Sequence, residues 1–171
     1  MNPPANDARH RKAMYVRNFV FGGEDSLVST VGLLSGVAAA GISKGDIILT
    51  GVVLIFVEAL SMAVGSFLSE NSAEEYLEKT DLPLRESITA GAIMFGSYFI
   101  LGFIPLLPYL IWSVSEAFAL SIAASLISLS LLGWLSGREF KVSAWRSGLK
   151  MLILGGAAIG IGVIVGRIIG Q

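Results

Sequence analysis

Three carboxylic acids stand where carboxylic acids are costly. Glu24 and Asp25 fall inside the first long apolar stretch, and Glu58 falls midway along the second. An ionised carboxylate on a lipid-facing helix costs at least ~2.5 kcal/mol, so it persists where it meets a partner, a cavity or an ion. Spacing sets the direction each acid faces. Asp25, Ser29, Gly32 and Gly36 recur at steps of four, three and four, which places them on one helical face. Glu58, Met62, Gly65 and Ser69 do the same on the next helix. Both faces are small or polar, which lets helices approach and leaves room around the carboxylates. Carboxylate oxygens are hard ligands and the Met62 thioether is soft. That mixed set disfavours magnesium and calcium and suits a borderline ion such as Fe²⁺. The same carboxylates can take up protons as the ion leaves.

Each of these residues also has a structural alternative. Glu24 or Asp25 could pair with Arg17, about two turns away, and Glu58 could meet serine hydroxyls. Met62 alone would be core or lipid-facing filler, and its four-residue relation to Glu58 makes it a candidate donor. Glu70, Glu74 and Glu78 follow at four-residue steps with Glu75 adjacent. On a continuing helix they form an acidic stripe that gathers cations at the mouth of a path, or a plain solvated face.

The elements that must position these residues are membrane helices. Of 171 residues, 54% are hydrophobic and 15% charged, with a mean hydropathy of +0.74. A soluble domain of this size needs more charge to cover its surface. The apolar blocks are long enough to cross a bilayer, which takes about 20 residues each. The expected fold is all-α, with five transmembrane helices in a single domain over 17–171, preceded by a flexible polar tail over 1–16. The spans run roughly 17–40, 46–68, from Pro83 to about Tyr109, 113–135 and 148–170. Asp46 is expected to cap the second, and Asp81-Leu82-Pro83 to separate the second from the third. Ser113-Val114-Ser115-Glu116 reads as a capping box opening the fourth, and Pro105 and Pro108 as the end of the third. The glycines of the fifth, Gly156 to Gly170, report close packing. Val37-Ala38-Ala39-Ala40 mimics a signal-peptidase site, yet the acids inside the preceding stretch mark a retained helix.

Orientation follows from the basic residues. With the N-terminus cytoplasmic, ten lie inside (Arg9, Arg11, Lys12, Arg17, Lys79, Arg85, Arg138, Lys141, Arg146 and Lys150) and only Lys44 and Arg167 outside. That asymmetry places the C-terminus outside. A net charge of -1 and the lack of a basic patch with interleaved aromatics speak against nucleic acid. With no cysteine and one histidine, His10 in the tail, neither a thiolate or histidine zinc site nor a nucleophile–base pair can be assembled. An enzyme is not expected, nor a resident cofactor. The expected partners are lipid, metal ions, protons and a second copy of the chain. Glycine-rich faces invite a two-fold dimer, with Ser29, Gly32 and Gly36 at its contact.

Arg17 through Thr30, with Gly22-Gly23-Glu24-Asp25-Ser26-Leu27 at its centre, resembles the first helix of the vacuolar iron transporter family. Glu58-Ala59-Leu60-Ser61-Met62-Ala63-Val64-Gly65 is similar to its second helix, and Gly102-Phe103-Ile104-Pro105-Leu106-Leu107-Pro108-Tyr109 to the end of its third. The resemblance implies a five-helix protomer that dimerises, with a metal path between protomers. It also implies exchange of Fe²⁺, often Mn²⁺ as well, for protons, moving metal out of the cytoplasm. Asp25 matches the family's intramembrane aspartate, and Glu58 and Met62 its metal-contacting motif. Two departures stand out. Asp25-Ser26-Leu27 replaces the family's Asp-Gly-Leu, and the connection from Glu70 to Asp81 is too short for the glutamate-rich metal-binding domain of well-studied members. Two readings compete with a proton-coupled exporter: a passive divalent-cation channel, and a non-transporting assembly or scaffold protein whose acids only bridge helices.

Overall fold

A computed structural model describes residues 5–78 and 84–170, the side chains of 5–8, 10 and 73–78 excepted. Five helices follow in order: α1 (Ala5–Ala39), α2 (Lys44–Glu78), α3 (Arg85–Ile111), α4 (Val114–Glu139) and α5 (Ala144–Ile169). The expected five-helix membrane protein is what forms. α2 to α5 each hold a stretch long and apolar enough to cross a bilayer, over Lys44–Ser72, Arg85–Ile111, Val114–Glu139 and Ala144–Ile169. α1 is equally long but bears Arg17, Glu24 and Asp25 along its middle. It packs against all four other helices, whereas α2 leans mainly on α3. The reason is solvation: lipid accommodates an apolar helix on every side, and the most polar helix must be surrounded by protein.

Helix ends differ from the sequence expectation in instructive ways. α1 begins at Ala5, so the stretch read as a tail continues the helix from that residue on, with Met14 buried. Ser43, not Asp46, caps α2: its Oγ accepts the Asp46 N–H at 3.3 Å and donates to the Asp46 carboxylate at 2.7 Å. The preceding turn uses Gly41 at φ +75°, a conformation suited to glycine. α3 runs through Pro105 and Pro108 to Ile111, and the Ser121 hydroxyl of α4 donates to the Pro105 carbonyl at 2.7 Å. That bond ties α4 to the proline-bearing stretch of α3. Glu116 accepts both the N–H and the hydroxyl of Ser113, closing the capping box at the start of α4. The segment 79–83, with Lys79 and Asp81-Leu82-Pro83, lies outside the described residues.

Two packing devices hold the bundle. α1 and α5 meet glycine to glycine. A Cβ on Gly36 would stand 2.7 Å from the Gly162 carbonyl oxygen, and one on Gly32 would stand 3.3 Å from that of Ala158. The Gly32 and Gly36 face is therefore occupied within the protomer, which corrects its assignment to a contact between copies. At the opposite end of the bundle, toward the start of α1, ion pairs join it to three neighbours: Arg11 to Glu86 of α3 at 3.1 Å, Lys12 to Glu139 of α4, and Arg17 to Glu70 of α2.

Candidate functional site

α1, α2 and α3 bring the predicted acids into one polar zone. Asp25 and Glu58 are both half-buried and lie within Coulombic reach of each other, with Glu24 beside Asp25. α2 is held in this register by an aromatic ladder. Phe56 meets the edge of Phe99 at 4.9 Å, and Phe95 and Phe103 flank Phe99 one turn to either side along α3. From α3 comes a residue that the sequence reading missed. Tyr98 is fully buried, its hydroxyl 2.8 Å from Ser29 Oγ, and it feels the charge of both Asp25 and Glu58. Ser26, which departs from the family pattern, donates its hydroxyl to the Tyr98 carbonyl at 2.6 Å. Gly102 permits that approach, since a Cβ there would meet Ser26 Oγ at 2.7 Å and Ile55 at 2.9 Å. Asp25 and Ser29 thus look toward α2 and α3, while Gly32 and Gly36 of the same stripe look toward α5.

A crevice begins one turn along α2 from Glu58, at Met62, and extends toward the charged end of the bundle. It encloses about 670 Å³ and is lined from α1 by Arg17 and Asn18 and from α2 by Ser61, Met62, Ser66 and Glu70. Met62 lies one turn from Glu58, half-buried, and lines the crevice. Glu70 is only 12% exposed and is gripped by the Arg17 guanidinium and by Asn18 Nδ2 at 3.3 Å. Asn18 is in turn fixed by the Ser66 hydroxyl at 2.7 Å and by the Met14 carbonyl at 3.0 Å. Two readings are corrected here. Arg17 pairs with Glu70 and not with Glu24 or Asp25, and Glu70 belongs to a half-sequestered network and not to a solvated stripe. The α2 backbone continues helically through Glu74, Glu75 and Glu78, but their side chains lie outside the described residues.

Asp25 and Glu58 make no ion pair among the described residues. Nor do three acids, histidines or cysteines converge into a complete metal cage there. What one protomer offers is two carboxylates that feel each other's charge, the hydroxyls of Ser29 and Tyr98, and a methionine one turn from Glu58. Such a set can hold a divalent cation transiently or exchange it for protons. The signals missed in sequence were long-range: Tyr98 reads as one aromatic residue in an apolar run, and Arg17 and Glu70 are separated by 53 positions.

Residues 16–86 and 80–167 match the model of the VIT family. Among curated proteins of Arabidopsis thaliana, vacuolar iron transporter homolog 3 is 30% identical over 175 residues, which is 94% of this chain and 86% of that protein. Vacuolar iron transporter homolog 2 is 28% identical over 174 residues, or 94% and 87% of the two chains. Vacuolar iron transporter homolog 4 is 29% identical over 167 residues, or 88% and 82%.

Proposed function

Since the chain belongs to the VIT family, we propose that it is a metal transporter that moves Fe²⁺, and Mn²⁺ through the same donors, out of the cytoplasm in exchange for protons. The observation that bears most weight is the pair Asp25 and Glu58, on α1 and α2, with no ion pair to neutralise them among the described residues. A charge pair of like sign inside a membrane bundle is unfavourable unless a cation or protons fill it. Binding metal or binding protons are then alternative ways of satisfying one site, which is the elementary requirement of an antiporter. The names of the relatives point to iron, and the hard-plus-soft donor set agrees with a borderline divalent ion.

On this reading the charged end of the bundle faces the cytoplasm, as the distribution of Lys and Arg argues. Metal arrives through the crevice past Glu70 and Met62, and reaches Asp25 and Glu58 about 18 Å further along α2 from Glu70. A second copy completes the path. Asp25 and Glu58 are only half-buried in one protomer, and lipid cannot cover them. A two-fold partner on the α1–α2 side doubles the carboxylates and removes them from lipid.

The test is Fe²⁺ flux into proteoliposomes with and without a pH gradient. Flux that grows with an opposing proton gradient, together with proton release from the metal-receiving side, supports exchange. Flux indifferent to the gradient would make the protein a passive channel, and absence of flux would leave it a non-transporting assembly protein.

A further inference from the structure

Where α4 turns into α5, an apolar groove meets a group of cations that the metal path does not use. The groove encloses about 440 Å³ and is walled by Leu131 and Trp134 of α4 and by Trp145, Leu149 and Leu152 of α5. Gly148 brings the two helices together at its floor, since a Cβ there would stand 3.1 Å from the Ser130 carbonyl oxygen. The Ser130 hydroxyl is turned back to the Leu126 carbonyl at 2.8 Å, so the walls present hydrocarbon and indole. Trp145 is 78% exposed.

Four exposed cations lie on the turn and on the adjoining turns of the two helices. The Arg138 guanidinium lies 4.8 Å from the centre of the Trp134 ring. Arg146 and Lys150 each follow a wall residue, Trp145 and Leu149, and Lys141 occupies the turn itself at φ 55°. No acid among the described residues pairs with any of them, and the one nearby, Glu139, is held by Lys12.

From this order of chemistries we propose that the groove is a binding site for an anionic phospholipid. Along α4 the wall passes from Leu131 through Trp134 to Arg138 over about 10 Å. That sequence of apolar wall, indole and cation mirrors the acyl chain, glycerol region and phosphate of a lipid standing in one leaflet. Other occupants fit less well. A second copy docked here across a two-fold axis would set the same four cations against each other. An acidic peptide has nothing to place against Leu131, Leu149 and Leu152 at membrane depth.

Tryptophan quenching tests the site without reference to transport, so its failure is separate from failure of the metal reading. Trp112 is replaced by Phe, which leaves Trp134 and Trp145 as the only indoles of the chain. The protein is reconstituted in phosphatidylcholine containing a small fraction of acyl-brominated phosphatidylglycerol or acyl-brominated phosphatidylcholine. The expected result is an about five-fold stronger relative affinity for the anionic lipid, the preference one Lys or Arg confers near a surface. Unlabelled phosphatidylglycerol should relieve that quenching while unlabelled phosphatidylcholine does not, and R138Q/R146Q should reduce the preference, with Lys141 and Lys150 left in place. Equal quenching by the two brominated lipids, relief by either unlabelled lipid alike, or an unchanged preference in the folded double variant overturns the proposal.

Discussion

Asp25 and Glu58 feel each other's charge and make no ion pair among the described residues, while the nearest arginine on the same helix, Arg17, is committed to Glu70. This division of charges could not be read from local spacing. Arg17 lies two turns from Glu24 in sequence, and only the register of α2 against α1 shows that Glu70 reaches it instead. Removing the guanidinium should therefore destabilise the bundle. Arg17→Gln leaves a 12%-exposed carboxylate held by Asn18 alone. Because Arg17 itself is 63% exposed, the cost should be about 1–2 kcal/mol, read as a lowered thermal midpoint in detergent, with Glu70→Gln in the same background recovering most of it. Met62 makes a different prediction. Met62→Leu keeps volume and hydrophobicity and removes the sulfur. It should slow Fe²⁺ transport more than Mn²⁺ transport, since the harder ion depends less on a thioether, and leave the thermal midpoint within about 1 kcal/mol of the parent. Paired flux measurements with the two metals decide it. Tyr98 was legible only as an aromatic residue. Its hydroxyl acquires meaning once α3 places it on Ser29, 69 positions away.

The helices themselves were largely legible, because blocks of apolar residues at bilayer length leave little choice. Their ends were less so. Asp46 and Ser43 are both good capping residues, and the structure chooses the earlier one because α2 starts at Lys44. The small-residue stripe of α1 carried a true signal and a wrong partner. Gly32 and Gly36 do announce close backbone approach, but a small-residue stripe does not state which helix approaches, and Ala158 and Gly162 of the same chain claim the position. This gives a test with an internal control. Gly36→Leu forces a side chain against the Gly162 backbone and should destabilise by about 1–3 kcal/mol or prevent folding. Gly65→Ala, on α2 where nothing stands within 4 Å, should change the thermal midpoint little.

For the whole molecule, the polar α1 at the centre and the lightly covered α2 at the edge set the expectation for assembly. With the α1 glycines occupied by α5, a second copy is expected to contact α2 instead, whose Val57, Leu60 and Val64 are exposed beside the half-buried acids. Cysteines at Leu60 or Ser61 should crosslink two copies in membranes, whereas cysteines at Gly32 or Gly36 should not. Crosslinking through Gly36 alone would place the contact elsewhere. Cysteines at Lys44 and Lys141 should label from opposite sides of the membrane, Lys141 from the cytoplasm.

The transport path joins all these scales in one quantity, the flux of Fe²⁺ through the reconstituted protein. A divalent ion that gives up its water needs anionic oxygens, and on the proposed reading Asp25 and Glu58, with Glu24 beside them, supply these. The direct measurement compares Fe²⁺ uptake by proteoliposomes bearing the parent protein, Asp25→Asn and Glu58→Gln, each first shown to be folded by its thermal midpoint and elution profile. Both variants should lose transport by at least about ten-fold, the effect of a single ~1.4 kcal/mol change in the energetics of the ion. If both transport like the parent, the metal crosses the membrane by some other route.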